Sequence, residues 1–96
     1  MSDVITAAVA ALSEKVGSAG IDGSVKFVIE GEGAIMVDGG GVRAADEDAD
    51  VTLTANQETF EAMMAGDLNP TSAFMTGKLA LDGDMGMAMK LGSILS

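Results

Sequence analysis

The residues that first suggest a chemical role are four closely spaced carboxylates, Asp46, Glu47, Asp48 and Asp50. Clustered carboxylate oxygens are the ligands that a hard cation such as calcium prefers. Their spacing does not match the calcium loop of an EF-hand, which also needs a glutamate at its twelfth position. A hydrated acidic turn explains the cluster better, so the sequence predicts no metal site.

The side chains that usually perform covalent or acid–base catalysis are missing. The sequence contains no histidine, cysteine, tryptophan or tyrosine, which excludes a disulfide scaffold, a thiol nucleophile, a Ser-His-Asp triad and a zinc site of the Cys/His type. Ser72 and Lys78 do not form a recognisable nucleophile–base pair, and helix capping accounts for Asp84. The glycines at 31, 33 and 39–41 lie between predicted strands and match no nucleotide-binding motif. We therefore predict that the protein is not an enzyme and uses no cofactor.

The net charge restricts the partners of the chain. Five basic and fifteen acidic side chains give a net charge of −10, which repels nucleic-acid phosphates and anionic membrane surfaces. We expect no nucleic-acid partner and only weak, transient contact with anionic membranes. No apolar run approaches the roughly 20 residues of a membrane-spanning helix, and the N-terminus lacks the basic region of a signal peptide. These features predict a cytoplasmic protein.

The hydrophobic pattern predicts an alternation of helices and strands within one domain, residues 1–96. The first helix is expected to start at Ser2 or Asp3 and to end at Gly17. Four strands follow between residues 25 and 54, with Gly31-Glu32-Gly33 as a tight connection. Capping residues then mark the starts of two helices, and a fifth strand and a last helix running to about residue 95 complete the chain; these caps are Asn56, Asn69 with Pro70, and Asp84.

The larger apolar residues of the predicted strands take one parity, whereas the opposite parity is mostly lysine, glutamate, threonine and aspartate. The residues of the apolar parity are Val25, Phe27, Ile29, Ile35, Val37, Val51, Leu53, Leu79 and Leu81. This alternation is typical of a sheet that is covered on one face and hydrated on the other. We predict an α+β fold of two layers, with the helices packed on the covered face.

Methionines are concentrated toward the C-terminus, where six of the eight lie between Met63 and Met89. In the last helix the apolar positions surround the helix axis instead of forming one stripe. One interpretation is that flexible methionines fill gaps in a core with few aromatics. The other is that they form an adaptable apolar pocket, since methionine is common on surfaces that accept varied apolar partners.

Residues 69–91, NPTSAFMTGKLALDGDMGMAMKL, resemble the signature of the sterol carrier protein type two family of lipid-transfer domains. The upstream segment 49–54, ADVTLT, the helix with Phe60 and the order of elements also fit this family, so the resemblance covers about residues 20–91. It implies a mixed five-stranded sheet with helices on one face. It also implies an apolar tunnel that holds fatty acyl chains, acyl-coenzyme A, phospholipids or sterols without covalent chemistry.

Transferred to this chain, the resemblance implies ligand-binding roles for residues of the helices and of the fifth strand, with two residues of the central strand as a tunnel floor. The helix and strand residues are Phe60, Met64, Phe74, Met75, Leu79, Met85, Met87, Met89 and Leu91, and the floor residues are Phe27 and Ile29. The leading hypothesis is a carrier whose partner is an apolar lipid. The alternative is an interaction module whose apolar C-terminal helix forms a homodimer or docks on an enzyme of lipid metabolism.

Overall fold

A five-stranded sheet and four helices make up the computed structural model, which describes residues 3–17, 21 and 23–95, with the side chains of 70 and 91–95 outside the described part. In chain order the elements are α1 (Asp3–Val16), β1 (Val25–Ile29), β2 (Gly33–Asp38), β3 (Gly41–Ala44), β4 (Val51–Ala55), α2 (Gln57–Met64), α3 (Pro70–Met75), β5 (Leu79–Gly83) and α4 (Met85–Leu95). This order confirms the predicted sequence of elements.

The strands are arranged β3-β2-β1-β4-β5, with β1 in the centre. β1 pairs with β4 in parallel, with Val25 opposite Val51, while the other three pairs are antiparallel. The sheet is therefore mixed, as expected. A mixed order of this kind requires the chain to pass from one edge strand, β3, across to β4, and residues 45–50 make that connection.

The core lies between one face of the sheet and the helices. In β1 and β4 every second residue is buried, and α1 adds Ile5, Ala8 and Leu12 at helical spacing. The Phe27 ring meets Phe60 of α2 edge to face, with a centroid distance of 5.6 Å. The buried strand residues and the helices share one hydrophobic cluster, which confirms the two-layer α+β fold.

Capping side chains begin the later helices where the sequence predicts. The Asn56 carboxamide oxygen accepts a hydrogen bond from the backbone N–H of Thr59 at 2.7 Å, and that of Asn69 accepts from Thr71 at 2.7 Å. Asp84 Oδ1 accepts from the backbone N–H of Gly86 at 2.8 Å and from that of Met87 at 3.3 Å. These bonds satisfy N–H groups that a helix leaves unpaired in its first turn.

Three local expectations need revision. Gly33 is the first residue of β2 and not part of the preceding connection, and β3 begins one residue before the predicted strand, at Gly41. Asp3 is the first described residue of α1, while the alternative cap, Ser2, lies outside the described residues.

Met36, on the sheet face away from the helices, is only 1% exposed. The 45–50 connection passes over this face, since Asp46 accepts a hydrogen bond from Lys26 Nζ at 2.9 Å.

A glycine allows the close approach of β5 to the start of β4. Gly83 has a φ of +121°, and a Cβ at this position would collide with the carbonyl oxygen of Asp50 and lie 2.9 Å from Val51 Cα. The backbone N–H of Asp84 donates to the same Asp50 oxygen at 3.0 Å. The start of α4 is thereby fixed at the edge of the sheet.

Candidate functional site

An apolar groove of about 280 Å³ opens between α3, α4 and the β4–β5 edge of the sheet. Eight of its nine lining residues are apolar, and the ninth is a threonine. The lining residues are Leu53, Thr71, Phe74, Met75, Leu79, Leu81, Met85, Ala88 and Met89. A groove with this lining is chemically suited to hydrocarbon and offers few partners to a polar ligand.

The sheet supplies the floor of the groove. Leu53 of β4 lies opposite Leu81 of β5 in the antiparallel register, and Leu79 lies opposite Ala55. Leu53 and Leu79 are almost completely buried, because side chains of the same parity point toward the helices. The floor is therefore a fixed part of the core.

The walls of the groove come from two capped helices. The Asn69 cap starts α3, which brings Phe74 and Met75 to the groove. The Asp84 cap starts α4, in which Met85, Ala88 and Met89 lie three and four residues apart and so share one side of the helix. The caps thus fix where each of the two helices begins.

The rim of the groove is exposed to solvent. Among the described residues, the large apolar side chains left exposed are Phe74 at 42%, Met75 at 79%, Met85 at 52% and Met89 at 70%, and all four line the groove. A contiguous exposed apolar surface of this kind is typical of a binding site. The three methionines are unbranched, so they can change rotamer to fit different ligands.

Three of the residues with an expected ligand role lie in the core without lining either groove. Phe27 and Ile29 are 1% exposed and Met87 is 8% exposed. Met87 packs against Gly23, where an added Cβ would lie 2.7 Å from Met87 Cε. These side chains support the groove from behind, and none of them lines it.

A second groove, of about 310 Å³, lies between α1 and α2. It contains two further residues with an expected ligand role, Phe60 and Met64. Its other lining residues are Val4, Ala7, Ala8, Ala11, Glu61 and Ala65. The predicted ligand set is thus distributed over two grooves and the core, with Phe74, Met75, Leu79, Met85 and Met89 brought together in the first. The side chain of Leu91 lies outside the described residues.

Four residues of the first groove were not in the predicted set: Leu53, Thr71, Leu81 and Ala88. The two leucines carried a signal, because they have the same strand parity as Leu79. Ala88 also carried one, since it lies one helical turn from Met85. Nothing in the sequence distinguishes Thr71 from the neighbouring polar residues.

The acidic run is engaged in ion pairs and backbone contacts. Asp46 pairs with Lys26 at 2.9 Å and Glu47 with Arg43 at 3.0 Å, while an Asp50 carboxylate oxygen accepts the backbone N–H of Ser24 at 3.1 Å. In the described part of the chain no group of three or more carboxylates, histidines or cysteines is arranged to hold a metal ion.

Arg43 also determines the ionisation of a nearby carboxyl group. Arg43 Nη1 donates to Asp38 Oδ2 at 2.8 Å. This hydrogen bond, and next to it the one from the Gly40 backbone N–H, lowers the pKa of Asp38 below its ordinary value. The pKa of Arg43 is raised in turn by its hydrogen bonds to Asp38 and Glu47. Both groups lie at the β2–β3 turn, away from the groove.

Over the described residues, no helix has the length and apolar character needed to cross a membrane.

Comparison with known proteins gives a consistent result. The family model described as the SCP-2 sterol transfer family matches residues 7–96. Hydroxysteroid dehydrogenase-like protein 2 of Xenopus laevis is 41% identical over 81 residues, which is 76% of this chain and 19% of that protein. Sterol carrier protein 2 of Rattus norvegicus is 42% identical over 67 residues, 70% of this chain and 11% of that protein. The chain therefore spans less than a fifth of the length of these two relatives.

Among solved structures, the solution structure of palmitated SCP2L2 from Aedes aegypti superposes with a TM-score of 0.67 at 25% identity, covering 99% of this chain and 95% of that one. The similarity extends over the sheet and all four helices. That residues 1–96 form one domain stays a prediction.

Proposed function

The chain belongs to the SCP-2 sterol transfer family, and we propose that it binds a fatty acyl chain in the groove between α3 and α4 and carries it through water. Lipid binding and transfer is the function that the family supports. The choice of an acyl chain and of this groove is the proposal.

The observation that carries the proposal is the combination of a buried leucine floor with an exposed methionine rim. Leu53 and Leu79 offer a dry surface, whereas Met75 and Met89 have most of their side-chain surface free. In water this rim leaves apolar surface hydrated. A bound acyl chain removes both its own surface and that of the rim from water, and this is the driving force for binding.

The volume of the groove sets the expected affinity. At about 280 Å³ the groove is close to twice the ~150 Å³ cavity that holds benzene, so it covers about ten carbons of an acyl chain. Each methylene removed from water contributes about 0.8 kcal/mol. Ten fully covered methylenes contribute about 8 kcal/mol, and an open groove contributes less. Micromolar affinity corresponds to about 8 kcal/mol after the cost of association has been subtracted, so it requires in addition that Met75 and Met89 fold over the ligand and bury their own apolar surface.

The solved structure of a palmitated relative supports this assignment, since a C16 acid is the ligand named for the Aedes aegypti protein. Among the described residues that line the groove, Thr71 is the one with a polar side chain, and none of them carries a carboxylate, amine or thiol that could perform covalent chemistry. Some relatives are named as dehydrogenase-like proteins. We propose that any chemistry in such proteins lies outside the part that this chain matches.

The first experiment is native mass spectrometry of the purified protein, before and after incubation with palmitate. We expect a one-to-one complex. Met89→Asp places a carboxylate on the groove wall and should abolish uptake, whereas Met64→Asp makes the same change in the α1–α2 groove and should not. Circular dichroism confirms that each variant is folded. Loss of uptake in Met64→Asp alone would assign the ligand to the second groove.

The alternative function, an interaction module, rests on the same four exposed side chains. A homodimer through α4 would cover Met85 and Met89. Sedimentation of the apo protein separates the two functions, since a dimer that persists at high dilution and takes up no palmitate supports the module.

A further inference from the structure

We propose that the surface formed by α3 and α4 docks on a zwitterionic lipid bilayer, an inference that rests on the proposed carrier function and names the partner from which the groove is loaded. We call this surface the docking face and define it by the exposed side chains of Phe74, Met75, Met85 and Met89. Three observations carry the proposal: where the charges lie, what the face exposes, and how far the other charges reach.

The charge of the chain is divided unevenly between its two parts. Residues 1–67 contain thirteen acidic and three basic side chains, which account for the whole net charge of −10. Residues 68–96, which include α3, β5 and α4, contain two acidic and two basic side chains and are neutral. The elements that carry the docking face thus belong to the part of a strongly acidic protein that has no net charge.

The two acidic residues of this part do not face the groove. Asp82 lies opposite Thr52 in the β4–β5 register, on the other side of the sheet from Leu81. The Asp84 carboxylate caps α4 through two backbone N–H groups, where the positive end of the helix dipole offsets its charge. Neither residue adds an unbalanced negative charge to the docking face.

The two basic residues are placed differently. Lys78 lies in the turn between α3 and β5, and Lys90 lies in α4 beside Met89. In the described part of the chain neither Lys78 nor Lys90 takes part in an ion pair. Their ammonium groups remain available to lipid phosphates next to the protruding methionines.

The size of the molecule decides which charges a membrane senses. The molecule measures 31 × 30 × 22 Å, and electrostatic interactions are screened over about 8 Å at an ionic strength near 0.15 M but over about 30 Å near 0.01 M. At the higher value a bilayer in contact with the docking face senses mainly the nearest charges, which are those of α3, β5 and α4 and that of Asp50 beside the start of α4. At the lower value it senses the full acidic charge.

A bilayer is favoured over a second copy of the chain because it offers phosphates to Lys78 and Lys90, whereas a second copy carries the same net charge of −10 and is repelled wherever salt does not screen that charge. The charge arrangement also predicts a salt dependence opposite to that of a basic membrane-binding segment, whose attraction to anionic lipid weakens as salt is added. Binding to anionic vesicles should strengthen with salt, and binding to phosphatidylcholine vesicles should hardly change.

The test is sedimentation of the full chain with sucrose-loaded vesicles of phosphatidylcholine, alone or with phosphatidylglycerol, at about 0.01 M and about 0.15 M salt. Met75→Glu should lower partitioning into phosphatidylcholine by roughly tenfold or more, since a methionine that docking would bury in the bilayer is exchanged for a charge. Ala10→Glu adds the same charge at an exposed position of α1 and should leave partitioning unchanged.

Palmitate uptake without vesicles is measured in parallel, so that the two proposals can fail separately. Palmitate uptake with no vesicle binding would overturn the docking proposal and leave the carrier function intact. Binding to anionic vesicles that weakens with added salt, equal losses in both variants, or a stable dimer that buries Met75 would each overturn it as well. Vesicle binding that depends on Met75, without palmitate uptake, would support the docking face and refute the carrier function.

Discussion

Met87 and Met89 lie two residues apart in α4, and we expect their replacement by alanine to affect two different properties of the protein. Met87 is 8% exposed and belongs to the core, whereas Met89 is 70% exposed and lines the groove. Met87→Ala should reduce stability, and Met89→Ala should reduce lipid affinity at nearly unchanged stability. The pair separates the two interpretations of the methionine-rich helix.

The magnitude for Met87 follows from its packing. Truncation of a buried methionine to alanine costs about 2–5 kcal/mol, through lost burial and the cavity that remains. The contact of Met87 with Gly23 leaves little room for the surroundings to collapse, so we expect about 3 kcal/mol. For a domain of this size that lowers the melting temperature by about 12–24 °C.

The magnitude for Met89 follows from its exposure. Complete burial of a methionine contributes about 1.5–3 kcal/mol, and with 70% of the residue exposed most of that gain is still available to a ligand. Losing about 1–2 kcal/mol weakens binding by about 5- to 30-fold. Alanine retains the helix and adds no charge, so the folded state is preserved.

Thermal unfolding followed by circular dichroism measures the loss of stability in Met87→Ala, and titration with a fluorescent fatty acid measures the loss of affinity in Met89→Ala. Met85→Ala serves as a second groove variant, expected to behave like Met89→Ala. If Met89→Ala lowered the melting temperature as much as Met87→Ala, or if ligand affinity were unchanged, the distinction between core and groove methionines in α4 would be refuted.

Four further predictions concern the frame around the groove and its ligand. Gly83→Ala should lower the free energy of unfolding by about 2–4 kcal/mol, because the added Cβ collides with the backbone at an unfavourable φ. Gly31→Ala, at a positive φ with open space around it, should lower it by about 1 kcal/mol. Urea unfolding measures both values. Asp38→Asn should change the acid dependence of stability. The lowered pKa of Asp38 stabilises the folded state above the ordinary aspartate pKa, and this contribution is lost as the pH falls through the pKa of the folded state. The melting temperature of the variant should therefore fall less on acidification than that of the unchanged protein. Asn56→Ala should remove the α2 cap at a cost of about 1 kcal/mol, measurable by the same unfolding and contradicted by an unchanged midpoint. In a series of fatty acids, affinity should rise by up to fourfold per added methylene to about ten carbons and then level off, whereas a steady rise through C18 would indicate a longer site than the groove.

The frame of the fold could be predicted from the sequence because its signals are local. Asn56, Asn69 and Asp84 cap helices through hydrogen bonds to their own near neighbours, and the alternation in β1 and β4 appears directly as burial. The burial of Met36 could not be predicted in this way. Met36 is buried on the face of the sheet where Asp46 pairs with Lys26, and the local pattern around Met36 does not predict that this face is covered there.

The groove could be predicted only in part, because it is a product of tertiary packing. The resemblance of residues 69–91 to a lipid-transfer signature located the segment that forms it. Within that segment Met85, Met87 and Met89 have the same chemistry, and the spacing does not say which side of α4 meets the core. The position of α4 against Gly23 and the sheet decides it, and that position places Met87 inside and its two neighbours outside.

The central position of β1 has a consequence for the order of folding. The parallel partner of β1 is β4, which lies later in the chain. The contact between Ser24 and Asp50 at the start of this pairing joins residues that are 26 positions apart in the sequence. Such non-local pairing forms slowly. The groove needs β4 and β5 as its floor, so it appears only after that step. In a refolding experiment, the signal of a fluorescent fatty acid should therefore rise with the slowest phase, which makes the ligand a reporter of the last event in folding.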